Sequence, residues 1–216
     1  MDHHLFQSGI RMPKFTPENK GVFLALPGGC APGAFALQLA ARYLNKNNNL
    51  IVIASASRPE SIEWCKKMGA DHVIDQQSFS FRDELDKIGI KGLDFVFYGL
   101  PPSQHEEKLY AVMNPLGQIA SYHEGKFEKM DVCFSKWISI HRESIEARKM
   151  LPEFRKANGE VLATVARLFD DASLKLESVA TKQFSELTAE TVRQADAWQS
   201  LRSIDAANAM GNAVFE

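Results

Sequence analysis

Along the first two-thirds of the chain, short apolar runs alternate with longer stretches of helical periodicity. Val22-Phe-Leu-Ala-Leu26 is the first run, and it ends at the turn signal Pro27-Gly28-Gly29. Gly33 to Leu44 reads as a helix that is apolar on almost every side, as expected of a helix clamped onto a sheet. Asn45–Asn49 breaks it, and Leu50-Ile-Val-Ile-Ala54 follows as a second buried strand. Ser57-Arg-Pro-Glu60 has the spelling of a capping box with proline in the first turn, and predicts a helix to about Met68 that stops at Gly69. His72–Asp75 is a short third strand, Ser80 caps a helix over Phe81–Ile88, and Leu93–Tyr98 is a fourth strand. Ser103-Gln-His-Glu106 spells a second capping box, opening a helix to Met113. Asn114-Pro-Leu-Gly117 then turns into a fifth strand, Gln118–Tyr122, and Phe134–His141 is predicted as a sixth.

Strands separated by helices in this way form right-handed crossovers and a parallel sheet. The expected fold class is α/β, a Rossmann-type doubly wound parallel sheet, over residues 21–170 after a lead-in of 1–20. From there the alternation stops. Pro152–Asp170 reads as one long amphipathic helix, Leu174–Phe184 as extended, Thr188–Leu201 as a helix and Asn212–Phe215 as a short strand. Residues 171–216 are therefore expected to form an accessory helical and extended tail beside the sheet.

Composition narrows the class without changing it. The 216 residues are 45% hydrophobic and 24% charged, with a net charge of -2. That is ordinary globular usage, with no general drive toward nucleic acid or anionic membrane. The basic cluster Arg142–Lys149 is interleaved with Glu143 and Glu146 and reads as a solvated face. The N-terminus lacks the apolar core of a signal peptide, and no apolar run has the ~18 residues of a membrane helix. Cys30, Cys65 and Cys133 are odd in number and dispersed, which predicts neither a zinc site nor a disulfide framework and fits a reducing cytoplasm. His3-His4 is read as a terminal pair without a metal role.

In a doubly wound sheet, ligands bind at the carboxyl ends of the strands, where the strand order reverses. The first strand-to-helix turn is Gly28-Gly29-Cys30-Ala31-Pro32-Gly33. It has the context of a dinucleotide fingerprint, in which backbone N–H groups and the helix N-terminus receive a phosphate. Its spelling departs from the pattern. Cys30 holds the middle glycine position and Pro32 removes an N–H, so a plain strand-to-helix turn remains the alternative. Cys30 itself is read as a small buried filler rather than a nucleophile, and His72 and His123 as structural histidines. At the second strand's end, an NAD site carries an acid for the ribose hydroxyls. This chain has Ser55-Ala-Ser57-Arg58 and no acid before Glu60, a set that suits a 2′-phosphate and hence NADP(H) over NAD(H). The alternative is that Ser57 is only a helix cap and Arg58 a surface charge. The absence of that acid also argues against an S-adenosylmethionine methyltransferase.

The stretch Ile53-Ala-Ser-Ala-Ser-Arg-Pro-Glu-Ser-Ile-Glu-Trp-Cys-Lys-Lys-Met-Gly-Ala-Asp-His-Val-Ile-Asp75 resembles the medium-chain dehydrogenase/reductase superfamily, in its zinc-type alcohol dehydrogenase-like and NADPH:quinone oxidoreductase-like branch. The similarity runs from Leu5-Phe6 to Gly211–Glu216. It implies an NADPH-dependent reduction of a quinone, enone or carbonyl by a homodimer built through the Rossmann sheets. It also implies cofactor contacts at Gly28, Gly29, Cys30, Ala31 and Gly33, at Ser55, Ser57 and Arg58, and at Tyr98, Gly99 and Leu100, with Tyr122 and His123 near the nicotinamide. Members of the family carry a GroES-like catalytic domain ahead of this region, and the chain opens where that domain would have ended. The expectation is thus a cofactor-binding half, for which the residues name no general acid. Leu174, Leu176, Val179, Phe184, Val214 and Phe215 are then expected to lack their usual cover. A non-catalytic Rossmann module that dimerises or senses nucleotide is the second expectation.

Overall fold

The computed structural model describes residues 15–16, 18–45, 47–123, 125–142, 153–172, 174–175, 180–182 and 213–215. β1 (Gly21–Leu26), β2 (Leu50–Ala56), β3 (His72–Asp75), β4 (Leu93–Tyr98), β5 (Met113–Ser121) and β6 (Ser139–Arg142) form one sheet in the order β3-β2-β1-β4-β5-β6. Every pairing in it is parallel. The α/β Rossmann expectation is met. β1 is hydrogen-bonded to both β2 and β4, so the chain reverses its direction of travel across the sheet between β3 and β4. The crevice of a doubly wound sheet therefore opens above the carboxyl ends of β1 and β4.

Right-handed crossovers distribute the helices over both faces. α1 (Ala31–Gln38) and α2 (Pro59–Lys67) cover one face, where Ala34, Leu37, Cys65 and Met68 pack with Ala25, Val52 and Ala54. α3 (Phe81–Lys87) and α4 (Pro102–Val112) cover the other, where Phe81, Leu85, Leu109 and Tyr110 pack with Leu24, Ile53 and Val96. α1 begins two residues before the expected Gly33 and continues as a π-helix over Leu39–Leu44. Asn45 ends it, with its side chain bonded in both directions to the Leu50 backbone.

Four expectations are corrected. α2 is capped by Arg58, not Ser57, and no side-chain cap bond is made. α4 is likewise capped by Pro101, with Ser103 inside the helix. One rule explains both: a residue before proline is pushed out of the helical region. Arg58 before Pro59 is extended at φ -106° and ψ 146°, and Pro101 before Pro102 has ψ 123°. Each helix therefore starts at the proline. Third, Phe134 is helical. α5 (Met130–Lys136) occupies the first part of the predicted sixth strand, Trp137 turns the chain at φ 56°, and only Ser139–Arg142 is strand. The fourth correction is Leu174, which is buried rather than uncovered.

Asn114–Gly117 is a smaller difference. It is an irregularity within β5, where Leu116 takes φ 64°, and not a turn before the strand.

The long helix appears as α6 (Glu153–Asp170). Phe169 meets Phe35 of α1 edge-on at 6.2 Å, Leu168 and Leu174 are buried, and Gln38 clasps the Lys175 backbone through bonds of 3.1 and 2.8 Å. β7 (Ala180–Lys182) and β8 (Ala213–Phe215) pair in parallel as a separate ribbon. The predicted helix over Thr188–Leu201 and the side chains of Leu176, Val179, Phe184, Val214 and Phe215 lie outside the described residues. Among the described residues no helix is long and apolar enough to cross a membrane.

Candidate nucleotide crevice

The first turn is shaped by close packing at Gly28 and Gly33. A Cβ at Gly28 would lie 2.6 Å from the Ala54 Cβ, and one at Gly33 would overlap the Pro27 carbonyl oxygen. Both glycines are thus needed to bring α1 down onto the sheet, whatever the turn binds. Gly28 also donates its N–H to the Ser55 carbonyl, tying the turn to the end of β2.

Cys30, at the middle fingerprint position, caps α1. Its Sγ accepts from the Gly33 N–H at 3.3 Å and contacts the Pro27 carbonyl at 3.6 Å as donor. It thereby takes an N–H that an anion at this helix end would use. Burial raises the Cys30 pKa, against smaller lowering from the bonds it accepts, which works against the reactive thiolate. The filler reading gains a capping role that the residue type did not announce, because cysteine is a rare cap.

Tyr122 completes this side. β5 ends at Ser121, and Tyr122 turns back over β4, its ring 5.4 Å from that of Phe97. Its hydroxyl lies over Gly99, where a Cβ would overlap it, and faces Cys30. The Tyr122 side chain therefore runs from β5 past β4 to the β1 turn, across the mouth between β1 and β4. Gly99 is accounted for by that approach. Tyr98 and Leu100 are fully buried, with the Tyr98 hydroxyl donating to the Pro101 carbonyl at 3.1 Å. These two expected contact residues are core. His123 accepts the Gly125 N–H on Nδ1 at 3.0 Å, a loop-forming role that fits its structural reading.

At the end of β2 the character is different. Ser55 is buried and its hydroxyl donates to Gln76 at the end of β3, at 3.5 Å. The Ser57 Oγ is buried and makes no hydrogen bond, beside Arg58 at the first turn of α2. A buried hydroxyl without a partner costs ~1–3 kcal/mol, and a ligand oxygen would relieve it. Gln76 was not anticipated; its place after β3, opposite the end of β2, was the available signal.

A cavity of about 650 Å³ lies on the α1 face of the sheet, between Phe35 and Leu39 of α1 and Phe95 and Phe97 of β4. Its lining is mostly aliphatic and aromatic and offers no cluster of phosphate-binding groups. Cys30, Cys65 and Cys133 are buried free thiols, and no metal-ligating cluster occurs among the described residues.

No family model matches the chain. A zinc-type alcohol dehydrogenase-like protein of Staphylococcus aureus is 34% identical over 105 residues, covering 48% of this chain and 30% of that protein. One from Staphylococcus epidermidis is 33% identical over 112 residues, covering 50% and 31%. Among solved structures, a putative zinc-dependent alcohol dehydrogenase from Rhizobium etli superposes with a TM-score of 0.72 at 28% identity, covering 95% of this chain and 56% of that one. An Escherichia coli quinone oxidoreductase complexed with NADPH shares the fold, with a TM-score of 0.58 at 17% identity over 83% and 53%. The chain thus spans just under a third of the curated relatives and a little over half of the solved chains.

Proposed function

We propose that the chain is the Rossmann part of a medium-chain dehydrogenase/reductase and that it binds NADP(H) as the cofactor-binding portion of an oxidoreductase. The observation that carries this is the end of β2. A buried Ser57 hydroxyl without a partner stands next to Arg58, and Ser55 and Ala56 occupy the positions where an acid would favour NAD(H). Those residues fit a phosphorylated ribose. The β1 turn fits a pyrophosphate less well, since Cys30 already holds the Gly33 N–H. The contacts proposed are Gly28, Gly29, Cys30, Ala31 and Gly33 at the turn, Ser55, Ser57 and Arg58 at β2, and Gly99 and His123 at the far side, where the Tyr122 hydroxyl lies over Gly99.

When bound, the dinucleotide supplies a hydride for a quinone, enone or carbonyl, and these residues bind and orient it. The same capped turn favours the second reading, a non-catalytic module that binds nucleotide without turnover. The partner proposed is a second copy. β6 is an edge strand, and Phe134 and Trp137 beside it are 81% and 66% exposed.

Replacing Arg58 with alanine tests the cofactor. Loss of a charge-assisted contact predicts roughly tenfold or greater weakening for NADPH and little change for NADH. Equal losses for both, read by fluorescence titration, would remove the 2′-phosphate assignment.

A further inference from the structure

The two sides of the crevice are in different states. On the β2–β3 side, Ser55, Ser57, Arg58 and Gln76 meet at the strand ends, with one buried hydroxyl unpartnered. On the β1–β4 side, the chain's own groups occupy the place of a ligand. The Cys30 Sγ takes the Gly33 N–H, and the Tyr122 hydroxyl lies over Gly99, facing Cys30. The Tyr122 ring rests on Phe97 in a tilted arrangement, centroids 5.4 Å apart at an interplanar angle of 31°.

A dinucleotide spans both sides. Its adenosine half lies at the second strand, while its pyrophosphate and second nucleoside cross the switch point. Tyr122 lies across that crossing. Its side chain is 41% exposed, so it can leave without opening the core. Gly99 has no side chain and leaves the phenol room both to seat and to depart.

Resting on the NADP(H) reading, we propose that Tyr122 is a gate over the β1–β4 half of the crevice, so that the resting chain recognises the adenosine 2′-phosphate half of the dinucleotide alone. The ligand class read by the closed form is then an adenosine bearing phosphates at the 2′ and 5′ positions. NADPH gains its remaining contacts only in the fraction of molecules with Tyr122 displaced. Its apparent affinity is lowered by that fraction.

The test is calorimetric titration of adenosine 2′,5′-bisphosphate and of NADPH into the wild-type chain, Tyr122→Ala and Tyr122→Phe. The wild type is expected to bind the two ligands within about threefold of each other. Tyr122→Ala should tighten NADPH about tenfold and leave the bisphosphate unchanged, with Tyr122→Phe between the two. Peptide-level mass spectrometry gives a ligand-free readout: alkylation of Cys30 should be faster in Tyr122→Ala, while that of Cys65 and Cys133 stays the same. A wild type that binds NADPH tenfold tighter than the bisphosphate, or a Tyr122→Ala chain with NADPH affinity unchanged or weakened, overturns the gate and leaves the NADP(H) reading standing. If neither ligand binds any of the three chains at 1 mM, a ~4 kcal/mol threshold, the NADP(H) reading falls and the gate with it.

Discussion

Single residues decide where this fold departs from its pattern. The spelling Ser-x-x-Glu predicts a cap at Ser57 and at Ser103, yet each helix opens at a proline because the residue before it is held extended. Proline therefore outranks the capping box at both sites, and the freed Ser57 hydroxyl becomes the best ligand signal in the chain. Gly33 was legible as a turn glycine, but the reason is packing against the Pro27 carbonyl as much as phosphate access. Gly33→Ala should cost about 1–3 kcal/mol in urea unfolding, whether or not nucleotide is present. Cys30 as a helix cap was not readable because cysteine is a rare cap, and Tyr122 over Gly99 because it joins segments far apart in sequence.

At the scale of elements, β1, β2 and β4 were legible as inner parallel strands bounded by turn residues, and β3 as a short apolar run at the sheet edge. α5 was not. Residues 134–141 mix aromatic and β-branched types, which suggests a strand, but tertiary contacts win. Cys133 is buried, and the Lys136 ammonium bonds the Tyr110, Ala111 and Met113 carbonyls at the end of α4. The lead into α5 is held by Glu106, a buried side chain on α4 whose two oxygens accept the N–H groups of Glu128 and Lys129 at 3.0 and 2.6 Å. The spelling makes Glu106 the last residue of a capping box, and the structure has it tie two elements together. Glu106→Ala should destabilise by about 2–3 kcal/mol and Glu106→Gln by less, because an amide oxygen keeps one acceptor. Equal unfolding midpoints for the wild type and both variants would show that the clasp contributes nothing.

For the whole molecule, burial sets a pH window. Desolvation raises the thiol of Cys65 to about 12, and the ionised Cys30 adds to it. A group protonated when folded but ionised when unfolded contributes stability below its unfolded pKa, near 8.5, and loses it as pH rises toward the folded value. Cys65 alone then withdraws about 1.4 kcal/mol per pH unit above pH ~9. On the acid side, burial and then Lys108 lower the His105 pKa. Its contribution is complete above the unfolded value of ~6.5 and is lost as pH falls through the folded one. Urea unfolding across pH 5–10.5 should therefore show a plateau between ~6.5 and 8.5 that falls on both sides. A Cys65→Ala chain with the same alkaline slope would remove the thiol account. The proposed dimer belongs to this scale too. Trp137→Glu should lower the mass seen in sedimentation equilibrium from dimer to monomer.

The parallel sheet and a crevice at its strand ends were legible in the alternation of runs and turns. The occupancy of the crevice by the chain's own Cys30 and Tyr122 was not, and it makes the end of β2 the decisive place. Titration of NADPH into the ¹⁵N-labelled chain, followed by amide chemical shifts, tests that directly. The account predicts saturable shifts at Ser55, Ser57 and Arg58, with NADH moving the same amides only at much higher concentration. Unmoved Ser57 and Arg58 amides at saturating NADPH, or identical titrations with NADH, would contradict it.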